Sequence, residues 1–247
     1  MPLDAIICDW NGTIIEYRDE KPVLESIATD LFKASIPLHP LRIARILKAR
    51  MELESLYRES HREAGFDFVK EMFRVFNEKI VNGMPVSFIR HSVDRYASKP
   101  QTQARLDHRI LQPIKEAHQA GKTTGIFSAG YRYGIERILT FSGYRECFDF
   151  CEADDLKEEN STVVEFRLNI YGNKPRLLQE LLRNRHLDVR RVAYLGDSAD
   201  DAGCFEIVGY PVVPFLASEG LKQEFARKYK AFVPKDEKAL SDYFKRV

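Results

Sequence analysis

The chain has 247 residues, with 38 lysines and arginines against 37 aspartates and glutamates, so its formal net charge at pH 7 is +1. This balance excludes a long-range attraction to nucleic acid or to an anionic membrane surface, and we expect neither as a partner. Hydrophobic residues make up 44% of the chain and charged residues 30%, which is typical of a globular protein. No stretch approaches about 18 consecutive apolar residues and the first residues lack a secretory pattern, so we expect a cytoplasmic protein.

The first predicted element is a short strand, AIIC at residues 5–8. It stops at Asp9, and Asn11 and Gly12 follow within three residues. An apolar run that ends in an acidic residue and an Asn-Gly pair predicts a buried strand followed by a turn.

Residues 17–100 differ from the rest of the chain. They contain long charged stretches with helical periodicity and no convincing strand. The turn signals SIPLHP, EAGF and NGMP predict the breaks between helices, and ASKPQTQ is the predicted return linker. We therefore predict an all-helical domain over 17–100, inserted into a core domain of residues 1–16 and 101–247.

From about residue 120 the chain alternates short apolar runs with amphipathic helical patterns, which predicts a parallel sheet wound with helices. The predicted strands, besides AIIC, are TTGIFSAG (123–130), RVAYLGD (191–197), YPVVPF (210–215) and AFV (231–233). The predicted helices are YGIERILTFSG (133–143), KPRLLQELLRNR (174–185), DDAGCFEIVG (200–209) and EGLKQEFARKYK (219–230). A second insertion, STVVEFRLNIYG (161–172), alternates like a strand and predicts a hairpin. The expected fold class is α/β, a doubly wound parallel sheet with an inserted all-helical domain.

Four polar residues lie where ligands collect in such a sheet, beyond the carboxyl ends of the strands. Asp9, Ser128 and Asp197 each end or follow a predicted strand, and Lys174 begins a predicted helix. Pro175 suits the first turn of a helix, so Lys174 is expected at a helix N-terminus, where anions are favoured.

The cysteines lack the paired spacing of a zinc site, and we interpret them as reduced structural residues. They are Cys8, Cys147, Cys151 and Cys204. The six histidines show no pair at ligand spacing in a site context, so none is assigned a catalytic role.

Four ordered motifs resemble those of the haloacid dehalogenase-like hydrolase superfamily. They are DWNGT (9–13), FSAG (127–130), KP (174–175) and GDSADD (196–201). The likeness covers about two thirds of the chain. The order of CFDFCEADDLKEENSTVVEF (147–166), then Lys174, then GDSADD looks most like the phosphoserine-phosphatase-like branch. The predicted helical insertion lies between the first and second motifs, where the superfamily carries a helical cap.

The resemblance implies a magnesium site. Asp9, the backbone carbonyl of Asn11, and Asp197 would hold Mg²⁺, which prefers oxygen ligands. Asp201 would bind the metal directly or through water, and Asp200 is the weaker candidate.

The resemblance also implies an aspartyl-phosphate mechanism on a small phosphorylated substrate. Asp9 would be the nucleophile. Ser128 and Lys174 would bind the transferring phosphoryl group, with Ala129 among the substrate-binding residues. Lys122 is a competing lysine, which we interpret as a surface residue.

Asn11 departs from the superfamily pattern. Phosphatases of this superfamily carry an aspartate two residues after the nucleophile, where it protonates the leaving oxygen and activates water; an amide can do neither. General acid–base assistance is worth about 10²- to 10⁴-fold. Three alternatives remain open: a weakened phosphatase, an acid supplied by the cap, or a substrate with an activated phosphate. An Asn-Gly pair also deamidates readily, so Asn11 could be aspartate in some molecules or an introduced substitution.

The sequence therefore predicts a Mg²⁺-dependent phosphatase that acts on a small phosphorylated metabolite. The alternative is a catalytically impaired relative that binds a phosphorylated ligand or a protein partner. Asn11 alone favours that alternative.

Overall fold

The computed structural model of the chain describes residues 2–17, 19–36, 39–60, 62 and 66–247. The β-strands of these residues are β1 Ala5–Cys8, β2 Thr123–Tyr131, β3 Phe150–Asp154, β4 Leu156–Glu159, β5 Thr162–Phe166, β6 Val192–Leu195 and β7 Tyr210–Val212. The α-helices are α1 Lys21–Ser35, α2 Pro40–Ser60, α3 Phe68–Phe76, α4 Val86–Ala97, α5 Pro100–Gln103, α6 His108–Gln119, α7 Arg132–Ser142, α8 Lys174–Asn184, α9 Ala202–Phe205, α10 Glu219–Tyr229 and α11 Glu237–Arg246. A π-helix follows α3 at Asn77–Val81, and 3₁₀ turns lie at Arg145–Cys147, Val189–Arg191 and Ala199–Asp201.

The chain divides into two compact units, and the first contains a five-stranded sheet. This unit comprises Met1–Arg18, Ser98–Asp154 and Leu168–Val247. Its strand order is β3-β2-β1-β6-β7, and every pair is parallel. β1 is central and its residues are all buried, as its apolar sequence predicts.

The register of the sheet brings three strand ends together. Cys8, the last residue of β1, pairs with Ile126 of β2 and with Leu195 of β6. Asp9 therefore lies one residue beyond this level, and Ser128 and Asp197 each lie two residues beyond it. The strand register therefore explains why Asp9, Ser128 and Asp197 lie close together. The fourth predicted residue, Lys174, is brought there by a helix.

Helices cover both faces of the sheet because successive side chains of a buried strand point to opposite sides. Ala5 and Ile7 of β1 belong to an apolar cluster with Leu178 and Leu182 of α8 and Phe225 of α10. Helix α6, which contacts β2 and α11, buries its own apolar stripe in the same unit. The predicted doubly wound α/β class is confirmed.

The second unit comprises Asp19–Ala97 and Asp155–Arg167. It contains α1 to α4, the π-helix and an antiparallel hairpin of β4 and β5. In α1 the buried residues recur at helical spacing: Val23, Leu24, Ile27 and Leu31. The hairpin predicted around 161–172 is present, with β5 as its second strand.

Some predicted elements differ from the structure. AFV forms a single bridge between Phe232 and Val212, and the helix predicted over 200–209 is reduced to a 3₁₀ turn and the short α9. Strand β3 was not predicted, because only part of its side chains are buried.

The domain boundaries at 17–100 stay a prediction; residues 155–167 group with the helical unit. In the part of the chain that the structure describes, no helix combines the length and apolarity of a membrane span.

Candidate active site

Asp9 lies directly after β1 and is buried. Its Oδ1 accepts a hydrogen bond from the Trp10 backbone N–H at 2.8 Å, and its Oδ2 accepts one from Lys174 Nζ at 2.7 Å. Burial raises the pKa of Asp9; Lys174 opposes this rise, Asp201 adds to it, and a hydrogen bond from Ser128 lowers the pKa. The net pKa stays raised. A buried carboxylate beside one cation thus stands at the end of the central strand.

The turn after Asp9 requires a glycine. Gly12 has a φ of +69°, and a Cβ at this position would lie 2.0 Å from Oδ2 of Asp197. The next residue, Thr13, donates its hydroxyl to Oδ1 of Asp197 at 3.3 Å. Asn11 lies in the same turn and is half-buried. The DWNGT segment therefore carries Asp9 and also packs against and hydrogen-bonds the carboxylate of the fourth motif.

Lys174 is the first residue of α8 and is buried. Its Nζ donates to Asp9 Oδ2 at 2.7 Å and to Asp201 Oδ1 at 2.8 Å. Burial by itself lowers the pKa of Lys174, but the carboxylates of Asp201 and Asp9 outweigh it, so the pKa is raised and the ammonium stays charged. Among the described residues these are its two acceptors, which leaves one N–H for a further acceptor.

The loop before α8 is held by a second buried carboxylate. Asp154, the last residue of β3, accepts at Oδ1 from the backbone N–H groups of Asn169 at 2.8 Å and Ile170 at 2.9 Å. Pro175 lies in the first turn of α8, and a Cβ on Gly203 would lie 2.4 Å from its ring. These contacts set the start of the helix that presents Lys174.

Asp201 is fully buried and surrounded by donors. Its Oδ1 accepts from Lys174 and from the Tyr194 hydroxyl, each at 2.8 Å. Its Oδ2 accepts from the Ser198 hydroxyl at 2.9 Å and from the Ser198 backbone N–H at 3.1 Å, in a capping box at the 3₁₀ turn. A carboxylate has about four lone-pair sites, so donors occupy all of them.

Asp197 is half-buried and lies beside these charges. Burial, followed by the charges of Asp9 and Asp201, raises the pKa of Asp197 to about 7, with Lys174 and Thr13 opposing the rise. The carboxyl groups of Asp9, Asp197 and Asp201 thus lie near one positive charge, that of Lys174.

This arrangement fits a divalent cation. One ligand atom from each of Asp9, Asp197 and Asp201 lies within 4.8 Å of the others. Hard cations such as Mg²⁺ take oxygen ligands, and the surplus negative charge is what a cation would neutralise. Asp201 fits a direct ligand less well than Asp197 does, because it would have to give up a donor.

The structure brings most of the predicted site residues together, while their roles stay predictions. Ser128 is buried, and its hydroxyl accepts from the Gly130 backbone N–H at 3.1 Å. Ala129 packs against the apolar cluster of the core, and Asp200 is exposed. Lys122 donates to the Leu3 carbonyl at 2.9 Å, just before β2 begins and so at the opposite end of the sheet.

Sequence reasoning missed four residues that shape the site: Thr13, Asp154, Tyr194 and Ser198. The spacing of Ser198 and Asp201 matches a capping box, which is a readable pattern. Tyr194 lies in an otherwise apolar strand, where a tyrosine is ordinarily assigned to core packing.

Comparison with known proteins identifies the family. A family model described as haloacid dehalogenase-like hydrolase matches residues 6–206. The chain belongs to this family. The predicted membership in a hydrolase family, and with it an enzyme class, is confirmed.

Individual relatives are distant. A phosphoserine phosphatase from Archaeoglobus fulgidus is 22% identical over 147 residues, which cover 58% of this chain and 39% of that protein. The chain thus spans about two fifths of the length of this curated relative. A substrate-bound phosphoserine phosphatase structure has a TM-score of 0.58 at 15% identity, covering 98% of this chain and 99% of that one. A protein of unknown function from Bordetella pertussis Tohama I has a TM-score of 0.65 at 14% identity, covering 94% and 98%. These structures support the predicted fold.

Proposed function

We propose that this hydrolase is a metal-dependent phosphatase that takes the phosphoryl group of a small, soluble cytoplasmic metabolite onto Asp9. One observation carries the proposal: the buried carboxylate of Asp9 contacts the Lys174 ammonium at 2.7 Å, beside the carboxylates of Asp197 and Asp201. A nucleophile, a fixed cation and a cation-binding acidic pair are what phosphoryl transfer to a carboxylate needs.

Transfer to Asp9 makes one bond and breaks another. An oxygen of the carboxylate donates an electron pair to phosphorus, and the bond from phosphorus to the leaving oxygen breaks with its electron pair. The remaining N–H of Lys174 and the hydroxyl of Ser128 would donate to the phosphoryl oxygens as their negative charge is redistributed. The oxygen of a water molecule then bonds to phosphorus, and the bond from phosphorus to the Asp9 oxygen breaks with its electron pair left on the carboxylate. Inorganic phosphate leaves and the water's proton passes to solvent.

Mg²⁺ is the cation that we propose for the site. Asp9, Asp197 and the backbone carbonyl of Asn11 would hold it, with Asp201 nearby. When bound it supplies positive charge that neutralises the phosphoryl oxygens. Lys174 supplies one positive charge next to three acidic side chains. Net negative charge therefore remains at the site, and a cation would neutralise it.

Asn11 limits the choice of substrate. Its amide cannot protonate a leaving oxygen, so leaving groups that depart as stable anions should react best. Anhydrides, acyl phosphates and aryl phosphates belong to this class. The relatives named phosphoserine phosphatases make phosphoserine one candidate, although its alkoxide leaving group needs a proton.

The second candidate function is a binder of phosphorylated ligands with little turnover. The amide at Asn11 favours it. The retained Asp9 and Lys174 and their direct contact oppose it.

A screen of phosphorylated metabolites with millimolar Mg²⁺ tests the proposal. Phosphate release and a covalent phosphoryl adduct on Asp9, found by acid-quenched peptide mass spectrometry, are the expected results. Asp9→Asn keeps the shape of the side chain and should abolish both. Ligand binding with neither release nor adduct, from acetyl phosphate through phosphoserine, would favour the binder.

The metal assignment has its own test. Mg²⁺ that binds only the folded protein should raise its melting temperature by mass action. Asp197→Ala should lose that rise, whereas Asp200→Ala, at an exposed position three residues further along the chain, serves as a control that should keep it. Equal shifts in wild type and Asp197→Ala would refute the assignment.

A further inference from the structure

Tyr194 places the single buried hydroxyl of strand β6 next to the candidate site. The residue is fully buried, and its ring packs in the apolar cluster and meets Phe205 edge to face at 6.0 Å. Packing alone would be served equally by phenylalanine. The hydroxyl needs a separate explanation, because a buried polar group is costly unless it is hydrogen-bonded.

The hydroxyl donates to Oδ1 of Asp201 at 2.8 Å. Burial, followed by the negative charge of Asp201, raises the pKa of Tyr194 well above its usual value, so the hydroxyl stays protonated and able to donate. Its hydrogen-bond partner, Asp201, is the last residue of the GDSADD segment.

The same oxygen of Asp201 accepts from Lys174 at 2.8 Å, and Lys174 donates onward to Asp9 at 2.7 Å. We infer that Tyr194 is a positioning residue, which holds Asp201 and through it the Lys174 ammonium at the distance from Asp9 that phosphoryl transfer requires. This inference rests on the proposed function, and it assigns no contact between Tyr194 and the substrate.

The physical basis of this positioning is that Tyr194 and Lys174 donate to the same carboxylate oxygen of Asp201. With the tyrosine hydroxyl in place, Asp201 Oδ1 divides its hydrogen-bonding capacity between two donors. Without it, Lys174 becomes the single donor to that oxygen, and the stronger attraction draws the ammonium toward Asp201 and away from Asp9. The phosphoryl group would then lose part of the positive charge that stabilises it during transfer.

Tyr194→Phe removes only the hydroxyl, and Tyr144→Phe is the matched control. Tyr144 is also buried, and its hydroxyl is hydrogen-bonded to His108 at 3.1 Å and Gln112 at 2.9 Å, neither of which is a site residue. Both variants should lose melting temperature to a similar extent. Single-turnover transfer of phosphoryl to Asp9 from saturating acetyl phosphate should slow on the order of tenfold in Tyr194→Phe and remain unchanged in Tyr144→Phe. The concentration of acetyl phosphate that half-saturates transfer should change much less than the rate.

Ser198→Ala provides a second variant at a half-exposed position, should Tyr194→Phe fold poorly. It removes one donor from Oδ2 of Asp201 and should slow transfer in the same direction, by about threefold for the loss of one neutral donor. A folded Tyr194→Phe with a transfer rate within twofold of wild type would overturn the inference. If Tyr194→Phe does not fold, a rate within twofold of wild type in Ser198→Ala would overturn it. Absence of any adduct on Asp9 in the wild-type protein would instead overturn the proposed function.

Discussion

Two features of the structure require glycine at position 12: the backbone is left-handed there, and the Asp197 carboxylate leaves no room for a Cβ. Gly121 has a similar φ of +83°, but a Cβ there would meet nothing within 4 Å, so Gly121→Ala carries the backbone strain alone. Each alanine variant should lose about 1–2 kcal/mol of unfolding free energy from the positive φ. Gly12→Ala should lose more, because its Cβ must displace the Asp197 carboxylate.

Urea unfolding of both glycine variants with and without Mg²⁺ measures this difference. We expect Gly121→Ala to keep the metal-dependent stabilisation and Gly12→Ala to lose it. Stabilisation of Gly12→Ala by Mg²⁺ at the wild-type level would show that Asp197 does not hold the cation.

Asn11 is the residue whose substitution should raise activity. Asn11→Asp supplies a titratable group and should speed turnover of phosphate monoesters with alkoxide-like leaving groups by about 10²- to 10⁴-fold. Acetyl phosphate and p-nitrophenyl phosphate should gain much less at the transfer step, because their leaving groups depart without a proton.

The starting protein must first be shown by peptide mass spectrometry to contain Asn11 rather than its deamidated form. Single-turnover kinetics then separate formation of the aspartyl-phosphate from its hydrolysis. No gain on any monoester would remove Asn11 from the acid–base position and favour an acid from elsewhere in the chain.

At the scale of elements, one side chain helps to hold the hairpin of the second unit. Asn77, the first residue of the π-helix, pairs with the backbone of Phe166 at the end of β5. Its Nδ2 donates to the Phe166 carbonyl at 3.0 Å and its Oδ1 accepts from the Phe166 N–H at 2.6 Å. The amide thus takes the place of a neighbouring strand at this residue.

Asn77→Ala should leave both backbone groups without these partners and cost about 1–3 kcal/mol of unfolding free energy. Asn82→Ala, at an exposed position just after the π-helix, is the control. Hydrogen exchange should rise in β5 for Asn77→Ala and stay unchanged for Asn82→Ala. Unchanged exchange in β5 for Asn77→Ala would mean that the rest of the hairpin is held without this pairing.

Local patterns predicted the elements where burial alone decides the outcome. β1, β2 and β6 are apolar and were located closely, and the end of β1 placed Asp9 correctly. Ser128 was expected at a strand end but lies within β2, which continues to Tyr131. AFV failed as a strand because apolar character cannot distinguish a full ladder from one bridge. Tyr194 was missed for a related reason. Its hydroxyl donates to Asp201 in the turn after β6, and no local spacing of residues predicts that contact.

At the scale of the whole molecule, all four cysteines are free and buried. Burial raises the pKa of each thiol, and for Cys151 the pKa rises from 9.0 to about 12, with Glu136 as a second cause. The native protein should therefore react slowly with a thiol reagent at pH 8, and the protein in concentrated urea should release four equivalents. Fast labelling of any thiol in the native protein would contradict this burial.

Cys151 also links the fold to pH. Its thiol ionises in the unfolded chain near pH 9 but stays neutral in the folded protein until about pH 12. The unfolded state therefore binds fewer protons in this window, so the stability that the neutral thiol contributes is complete below pH 9 and is lost as the pH rises toward 12. One thiol accounts for about 1.4 kcal/mol per pH unit within the window.

Cys151→Ala removes the titrating group, so its unfolding free energy should fall less than that of wild type between pH 8 and pH 10, by about 1 kcal/mol. Urea unfolding at the two pH values measures both proteins, and comparing the pH difference of each protein cancels the constant cost of the truncation. Equal falls in the two proteins would mean that the thiol of Cys151 ionises as readily in the folded protein as in the unfolded chain.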